Sequence, residues 1–241
     1  MSTPSTAGKD IAPAGHRAWR FLRHNSLGLL FMGAFLVTLA GQAVAAHAEF
    51  NNQLGTDGMA PLSFGAYLTT SDFAVDVTEN WQSEYLQFFL YIFATVHLLQ
   101  RGSPESKELD RSGTESDEDQ WVGEHARDDS PRWAADKGWR QVVYSRSLGL
   151  VMGSIFLLSW LAQSVAGVAA YNEQQLRQLQ PPVSWTAYLS SADFWSRTLQ
   201  NWQSELLAVA SMAILAIYLR QRGSPESKPV GAPHSATGVE G

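Results

Sequence analysis

The residues best placed to do chemistry are two glutamates, Glu84 and Glu205, each set in the same string, Asn80-Trp81-Gln82-Ser83-Glu84 and Asn201-Trp202-Gln203-Ser204-Glu205. Both strings open an apolar stretch, so each carboxylate lies about one helical turn inside it. Gln42 and Gln163 are the other polar side chains that recur inside apolar stretches, at comparable depth. An amide and a carboxylate on neighbouring helices in lipid can form a clasp worth about 0.6–2 kcal/mol. Four such groups on a shared axis could instead line a polar cavity for an ion or a proton. The plainest alternative puts Trp81 and Trp202 in an outer aromatic belt and the glutamates in headgroup water.

Other chemistries have no support. There is no phosphate-cradling glycine loop, dinucleotide fingerprint or His-Glu-x-x-His helix. The six histidines, His16, His24, His47, His97, His125 and His234, lack ligand-like spacing, so neither a metal nor a cofactor is expected and no catalytic residue is assigned. The chain has no cysteine, which excludes disulfides, thiol catalysis and thiolate metal sites. A net charge of −6 argues against a general nucleic-acid binder. The expectation is a protein that is not an enzyme.

The elements that position these residues follow from a duplication. Residues 26–107 align without a gap on 147–228 at an offset of 121, with 34 of 82 positions identical. Each copy contains two apolar stretches, about 27–48 and 81–100 in the first, about 148–170 and 202–219 in the second. A run of about 20 residues at roughly 1.5 Å per residue spans the hydrocarbon core, so four transmembrane helices are expected. The mean hydropathy of −0.15 is low because polar tails, linker and loops dilute the spans. A charged fraction of 17% lies below the roughly 25% usual for soluble domains. Basic residues before the first stretch and Ala46-His47-Ala48 after it also suit a secretory signal. That stretch is longer than a signal core and its counterpart sits mid-chain, which favours a retained span.

Charge then sets the orientation. Of 17 Lys and Arg, 15 lie in the N-terminal segment, the central linker or the C-terminal tail; only Arg177 and Arg197 lie in the opposite loops. The positive-inside rule places both termini and the linker in the cytoplasm. Two spans per repeat make the repeats enter from the same side, giving parallel hairpins.

The expected organisation is a disordered tail at 1–15, a first repeat at 16–107, a polar cytoplasmic linker at 108–138, a second repeat at 139–228 and a disordered tail at 229–241. Trp19–Arg23 and Trp139–Tyr144 read as amphipathic lead-ins at the cytoplasmic surface. Thr69 with Asp72, and Ser190 with Asp193, have capping-box spacing, predicting outer-face helices from about residues 71 and 192 that run into the second spans or bend at Asn80 and Asn201. Gly149 and Gly153 form a GxxxG pattern whose second glycine is missing from the first repeat. The small residues Ala40, Gly41, Ala43 and Ala45, with Ala162, Ser164, Ala166 and Gly167, are therefore the expected packing surfaces. Arg101-Gly102-Ser103-Pro104 and its copy read as helix stops. Their identical extension, Glu-Ser-Lys, exceeds what a stop needs and offers a small cytoplasmic docking surface.

The duplicated Asn-Trp-Gln-Ser-Glu string, the Tyr-Leu-x-Ser-x-Asp-Phe loops and the Arg-Gly-Ser-x-Glu-Ser-Lys exits resemble an uncharacterised family of bacterial, actinobacterial-type four-span membrane proteins, over about residues 17–228. The resemblance implies a bacterial inner-membrane location and brings no activity, ligand or catalytic residue. The fold expected is thus an all-α integral membrane protein of two parallel hairpins. Its expected partners are the lipid bilayer and a second copy or another membrane protein, with no nucleic acid. A structural or partner-binding role is expected first, and a small ion channel or transporter lined by Glu84 and Glu205 is the alternative.

Overall fold

The computed structural model describes residues 14–240. The tail expected at 1–15 falls almost wholly outside the described residues. Regular structure among the described residues is entirely helical, with nine α-helices and no strand. They belong to two compact units divided between Leu68 and Thr69.

In the first unit α1 (Ala14–His24) is the expected lead-in, followed by α2 (Ser26–Thr56) and the single turn α3 (Phe64–Tyr67). The expected span, 27–48, lies within α2, which continues for two more turns. Asn51 explains the extension. Its side-chain amide donates to the Leu62 carbonyl at 3.0 Å, and its Oδ1 accepts the Leu62 N–H at 2.8 Å, so the returning chain is held against the last turns. Tyr67, 1% exposed, packs its ring on His47 and Phe50.

The second unit contains α4 (Ser71–His97), α5 (Arg132–Ala135), α6 (Trp139–Tyr144), α7 (Ser147–Arg177), α8 (Trp185–Tyr188) and α9 (Ala192–Tyr218). α4 and α9 start where expected and continue without a break through Asn80 and Asn201. Their caps, however, lie one residue later than predicted. Thr70 Oγ1 accepts the Phe73 N–H at 3.3 Å, and Ser191 Oγ accepts the Phe194 N–H at 3.2 Å. Asp72 and Asp193 thus fall at the second helical position, where a carboxylate favours the helix dipole but does not complete a capping box.

Helix packing in this unit also departs from expectation at the GxxxG pattern. α4 runs antiparallel to α7, with Phe93 lying over Gly149 and Phe89 over Gly153. A Cβ added at Gly153 would sit 2.7 Å from the Phe89 ring, so this glycine makes the groove. Its absence from the first repeat marks a site used once. Gly167, among the residues expected to pack, accepts Tyr188: a Cβ there would lie 2.5 Å from the Tyr188 hydroxyl oxygen. α9 lies against both helices, its Trp202 on Phe156 and Trp160 of α7 and its Phe194 stacked on Trp160.

Among the described residues, α2 and α7 are the two helices long and apolar enough to cross a membrane. α4 and α9 match them nearly in length, but Asn, Gln, Ser and Glu around Trp81 and Trp202 lower their apolar character. The linker is exposed over most of its length, with a 3-10 turn at Gly123–His125 and Arg127 stacked 3.3 Å above the Trp121 ring. The segment from 229 to 240, expected to be disordered, is tied to the first exit: the Gly238 N–H bonds to Ser103 O and Thr237 Oγ1 accepts the Gly102 N–H.

Candidate functional site

Outward from the middle of the second unit, three layers of polar side chains can be built. The outermost is an ionic cluster. α4 presents Asp72, Asp76 and Glu79 on one face at helical spacing, and α9 presents Asp193 and Arg197. The Arg197 guanidinium lies 3.3 Å from Glu79 and 3.5 Å from Asp193. Arg177 pairs with Glu173 one turn away on α7, at 2.5 Å. Burial raises the affinity of Asp72, Asp76 and Glu79 for protons; Glu173 adds to this at Asp72, while Arg197 opposes it at Asp76 and Glu79. Tyr188 donates to Asp193 Oδ2 at 3.0 Å, and burial followed by the Asp193 charge keeps the phenol protonated.

The middle layer holds buried polar side chains. Gln82 is fully buried; its Oε1 accepts the Trp202 indole N–H at 2.7 Å and its amide donates to the Glu79 carbonyl. Gln163 is 1% exposed, and neither end of its amide meets a hydrogen-bond partner. The buried Thr198 hydroxyl and the Trp160 indole N–H are likewise unpaired. Thr198 lies one turn from both Phe194 and Trp202, whose rings lie against Trp160.

The clasp expected between Gln163 and Glu205 is therefore not made: the Gln163 amide is buried with no hydrogen-bond partner. Glu205 is half-buried and Glu84 exposed, and the two carboxylates lie within electrostatic reach of each other. Gln42 is half-buried in the first unit. Trp81, 40% exposed, suits an outer belt, whereas Trp202 turns inward to Gln82.

The third layer is the pair of exits after α4 and α9. In each, a segment further along the chain returns to a carbonyl near the end of the helix. The Gly113 N–H donates to Val96 O at 2.7 Å, and His234 Nδ1 meets Ile217 O at 3.0 Å; Val96 and Ile217 are aligned positions. Lys107 reaches the Gly113 carbonyl and Glu115. Lys228, 1% exposed, donates to four carbonyls, those of Gly102, Pro233, His234 and Ala236, at 2.7–3.3 Å.

The string of residues shared by the helices, loops and exits matches one family, described as a domain of unknown function (DUF6766), over residues 18–239. The chain belongs to that family. No curated protein and no solved structure matches it. The DUF6766 match runs from α1 to the docked tail, so the tail belongs to the same domain as the helices.

Sequence reasoning missed Asn51 and its counterpart Asn172, which clasps Val183 in the same two-bond manner at 2.9 and 2.8 Å. It also missed Tyr67 and Tyr188, both 1% exposed. All four are identical at aligned positions, the signal by which they could have been found. Thr198, aligned with Val77, carries no such distinction; Gln82 and Lys228 are identical to their counterparts Gln203 and Lys107, but their burial is not repeated there, so identity alone does not mark it.

Proposed function

We propose that this chain is an integral protein of the bacterial inner membrane, with α2, α4, α7 and α9 as four spans in two parallel hairpins and both termini cytoplasmic. Its role is that of a structural or partner-binding membrane scaffold. The observation that carries this reading is the inverted polarity of the second unit. Gln82, Ser83, Gln163 and Thr198 are at most 1% exposed, while Leu157, Leu158, Val165 and Leu207 at similar levels are 55–68% exposed. A soluble bundle sorts these residue types the other way. In lipid, polar side chains between helices and aliphatic ones outside are the favourable arrangement.

The two basic residues on the outer side support the orientation. Arg177 and Arg197 are both taken up in ion pairs with acids on the same side, which lowers the cost of placing them there. The glutamate string does not brace its own hairpin in the second repeat, so cohesion rests on the α4–α7 groove, the aromatic stack and the asparagine clasps.

A second reading, a small channel or transporter, is favoured by the proximity of Glu84 and Glu205 and by the unpaired amide of Gln163. Glu84→Gln combined with Glu205→Gln separates the two. The scaffold reading expects ion flux in liposomes at the level of empty vesicles before and after the substitutions. Flux above that level, abolished by the double substitution while the melting temperature in detergent is retained, would establish transport and sink the scaffold reading.

A further inference from the structure

The longest run of identical residues in the duplication is Gln100–Lys107 with Gln221–Lys228. The two loops fold alike. Gln100 N–H donates to Ser106 Oγ at 3.0 Å and Gln221 N–H to Ser227 Oγ at 2.9 Å. Glu105 N–H donates to Ser103 Oγ and Glu226 N–H to Ser224 Oγ, each at 3.3 Å. Gly102 and Gly223 both have left-handed backbone, φ +87° and +80°.

Their surroundings differ. Gly102, Ser103, Pro104 and Ser106 are buried, whereas Gly223, Pro225 and Glu226 are exposed. The cover on the first loop is the chain's own tail. The Gly102 N–H donates to Thr237 Oγ1 at 2.9 Å, and the Gly238 N–H donates to Ser103 O at 3.1 Å. The approach is backbone to backbone: a Cβ at Gly102 would meet His234 O at 2.4 Å, and one at Gly238, φ +69°, would meet Ser106 O at 3.1 Å. A hydroxyl followed by glycine is thus what the loop receives.

No segment covers the second loop in this way. A Cβ at Gly223 meets nothing within 4 Å, and the Gly223 N–H has no partner among the described residues. The linker follows the first loop as the tail follows the second, but Ser116 and Asp117 stand where the tail has Thr237 and Gly238. Asp117 brings a side chain to the position where glycine is needed. Ser116 is turned to Asp119, donating at 2.6 Å. Lys107, the counterpart of the lysine that closes over the tail, is held by Glu115 at 2.9 Å.

We propose that the exposed loop at 223–227 is a docking site for an extended segment of a partner protein that carries Thr or Ser followed by Gly. The hydroxyl accepts from the Gly223 N–H, and the glycine N–H donates to the Ser224 carbonyl. That carbonyl already takes the Ser227 N–H at 3.2 Å and has a second lone pair for the incoming donor. Binding is weak for an isolated peptide, since the first loop holds its own ligand at the high effective concentration of a tether.

The test is titration of the full chain in detergent with a labelled peptide of the sequence at 233–239, Pro-His-Ser-Ala-Thr-Gly-Val. One equivalent is expected to bind. Gly223→Val, whose side chain opposes φ +80°, is expected to abolish binding, and Gly238→Val, which releases the tail from the first loop, to raise it to two equivalents. A benzophenone in place of the peptide's alanine, cross-linking to residues 223–227 of the unsubstituted chain, gives a second measurement independent of how the variants fold. No binding by the full chain, binding unchanged in Gly223→Val, or cross-links elsewhere overturns the proposal. Self-association that disappears in Gly238→Val also overturns it, because the occupant would then be a second copy's tail.

Discussion

A single residue shows how the two copies of one plan meet the same demand at different cost. α2 and α7 both end in a Schellman turn. Met59 N–H reaches Leu54 O at 2.8 Å with Gly58 N–H on Gly55 O at 3.1 Å; Gln180 N–H reaches Gln175 O at 2.8 Å with Leu179 N–H on Leu176 O at 3.0 Å. The pivot of such a turn is left-handed. Gly58 adopts φ +71° freely, but Leu179 adopts φ +57° with a Cβ that crowds the following carbonyl. Leu179 is 94% exposed, so its side chain earns nothing from packing to offset the strain. Leu179→Gly should therefore stabilise the second unit by about 0.5–1.5 kcal/mol, the left-handed penalty less the greater chain entropy of glycine. The measurement is thermal unfolding in detergent followed by circular dichroism, and an unchanged or lower melting temperature would contradict it. The matching substitution Gly58→Leu should act in the opposite direction.

At the scale of helices, the groove on α7 decides how closely α4 approaches. Gly153 has the Phe89 ring where a methyl would go, and Gly149 has Phe93 at 3.1 Å. Gly153→Leu should cost about 1–3 kcal/mol by overpacking, and Gly149→Ala clearly less, because its neighbour need move only a few tenths of an ångström. Phe89→Ala made together with Gly153→Leu should recover part of the loss, since the new side chain fills the space the ring leaves; the recovery, read as a non-additive double-mutant cycle, is the check. This groove also shows what was legible in the sequence. The four long helices and the starts of α4 and α9 follow from apolar length and from Ser, Thr and Asp at the right places. The choice of Thr70 over Thr69 as cap does not, because adjacent hydroxyls differ only in which backbone N–H they face. The GxxxG glycines lack a repeat, which in the sequence speaks against them, yet packing between α4 and α7 joins different copies and needs no such symmetry. Depth along the spans pairs Gln163 with Glu205, but depth does not fix which way each helix faces, and the Gln163 amide is buried without a partner. The tail was read from composition as disordered; Lys228 and two glycine contacts, made over more than a hundred residues, are invisible to any local reading.

For the whole molecule the number of crossings sets the side on which residues 118 and 180 lie. If α2, α4, α7 and α9 all cross, residue 59 is outside, 118 inside, 180 outside and 239 inside. If only α2 and α7 cross, residue 118 moves outside and residue 180 inside. The second arrangement exposes Arg101, Lys107, Arg111, Arg127, Arg132, Lys137, Arg140 and Arg146 to the outer side, eight basic residues against the positive-inside rule. The first requires α4 and α9 to carry Glu84 and Glu205, which lie midway along these helices but only about one turn inside the apolar stretches that open at Trp81 and Trp202. A carboxylate costs about 2.5–3.5 kcal/mol at the bilayer centre and less near an end, where snorkelling reaches water. Eight misplaced cations outweigh two shallow carboxylates, so four crossings are expected. The chain has no cysteine, which makes the measurement clean. Single substitutions Met59→Cys, Glu118→Cys, Gln180→Cys and Val239→Cys fall at exposed positions. With a membrane-impermeant maleimide on intact cells, the first and third should label, and the second and fourth only after permeabilisation. Labelling of Glu118→Cys from outside, with protection of Gln180→Cys, would reduce the spans to α2 and α7 and lay α4 and α9 along the outer and inner surfaces respectively. The inverted polarity of the second unit would then need a protein partner, rather than lipid, to cover its leucines.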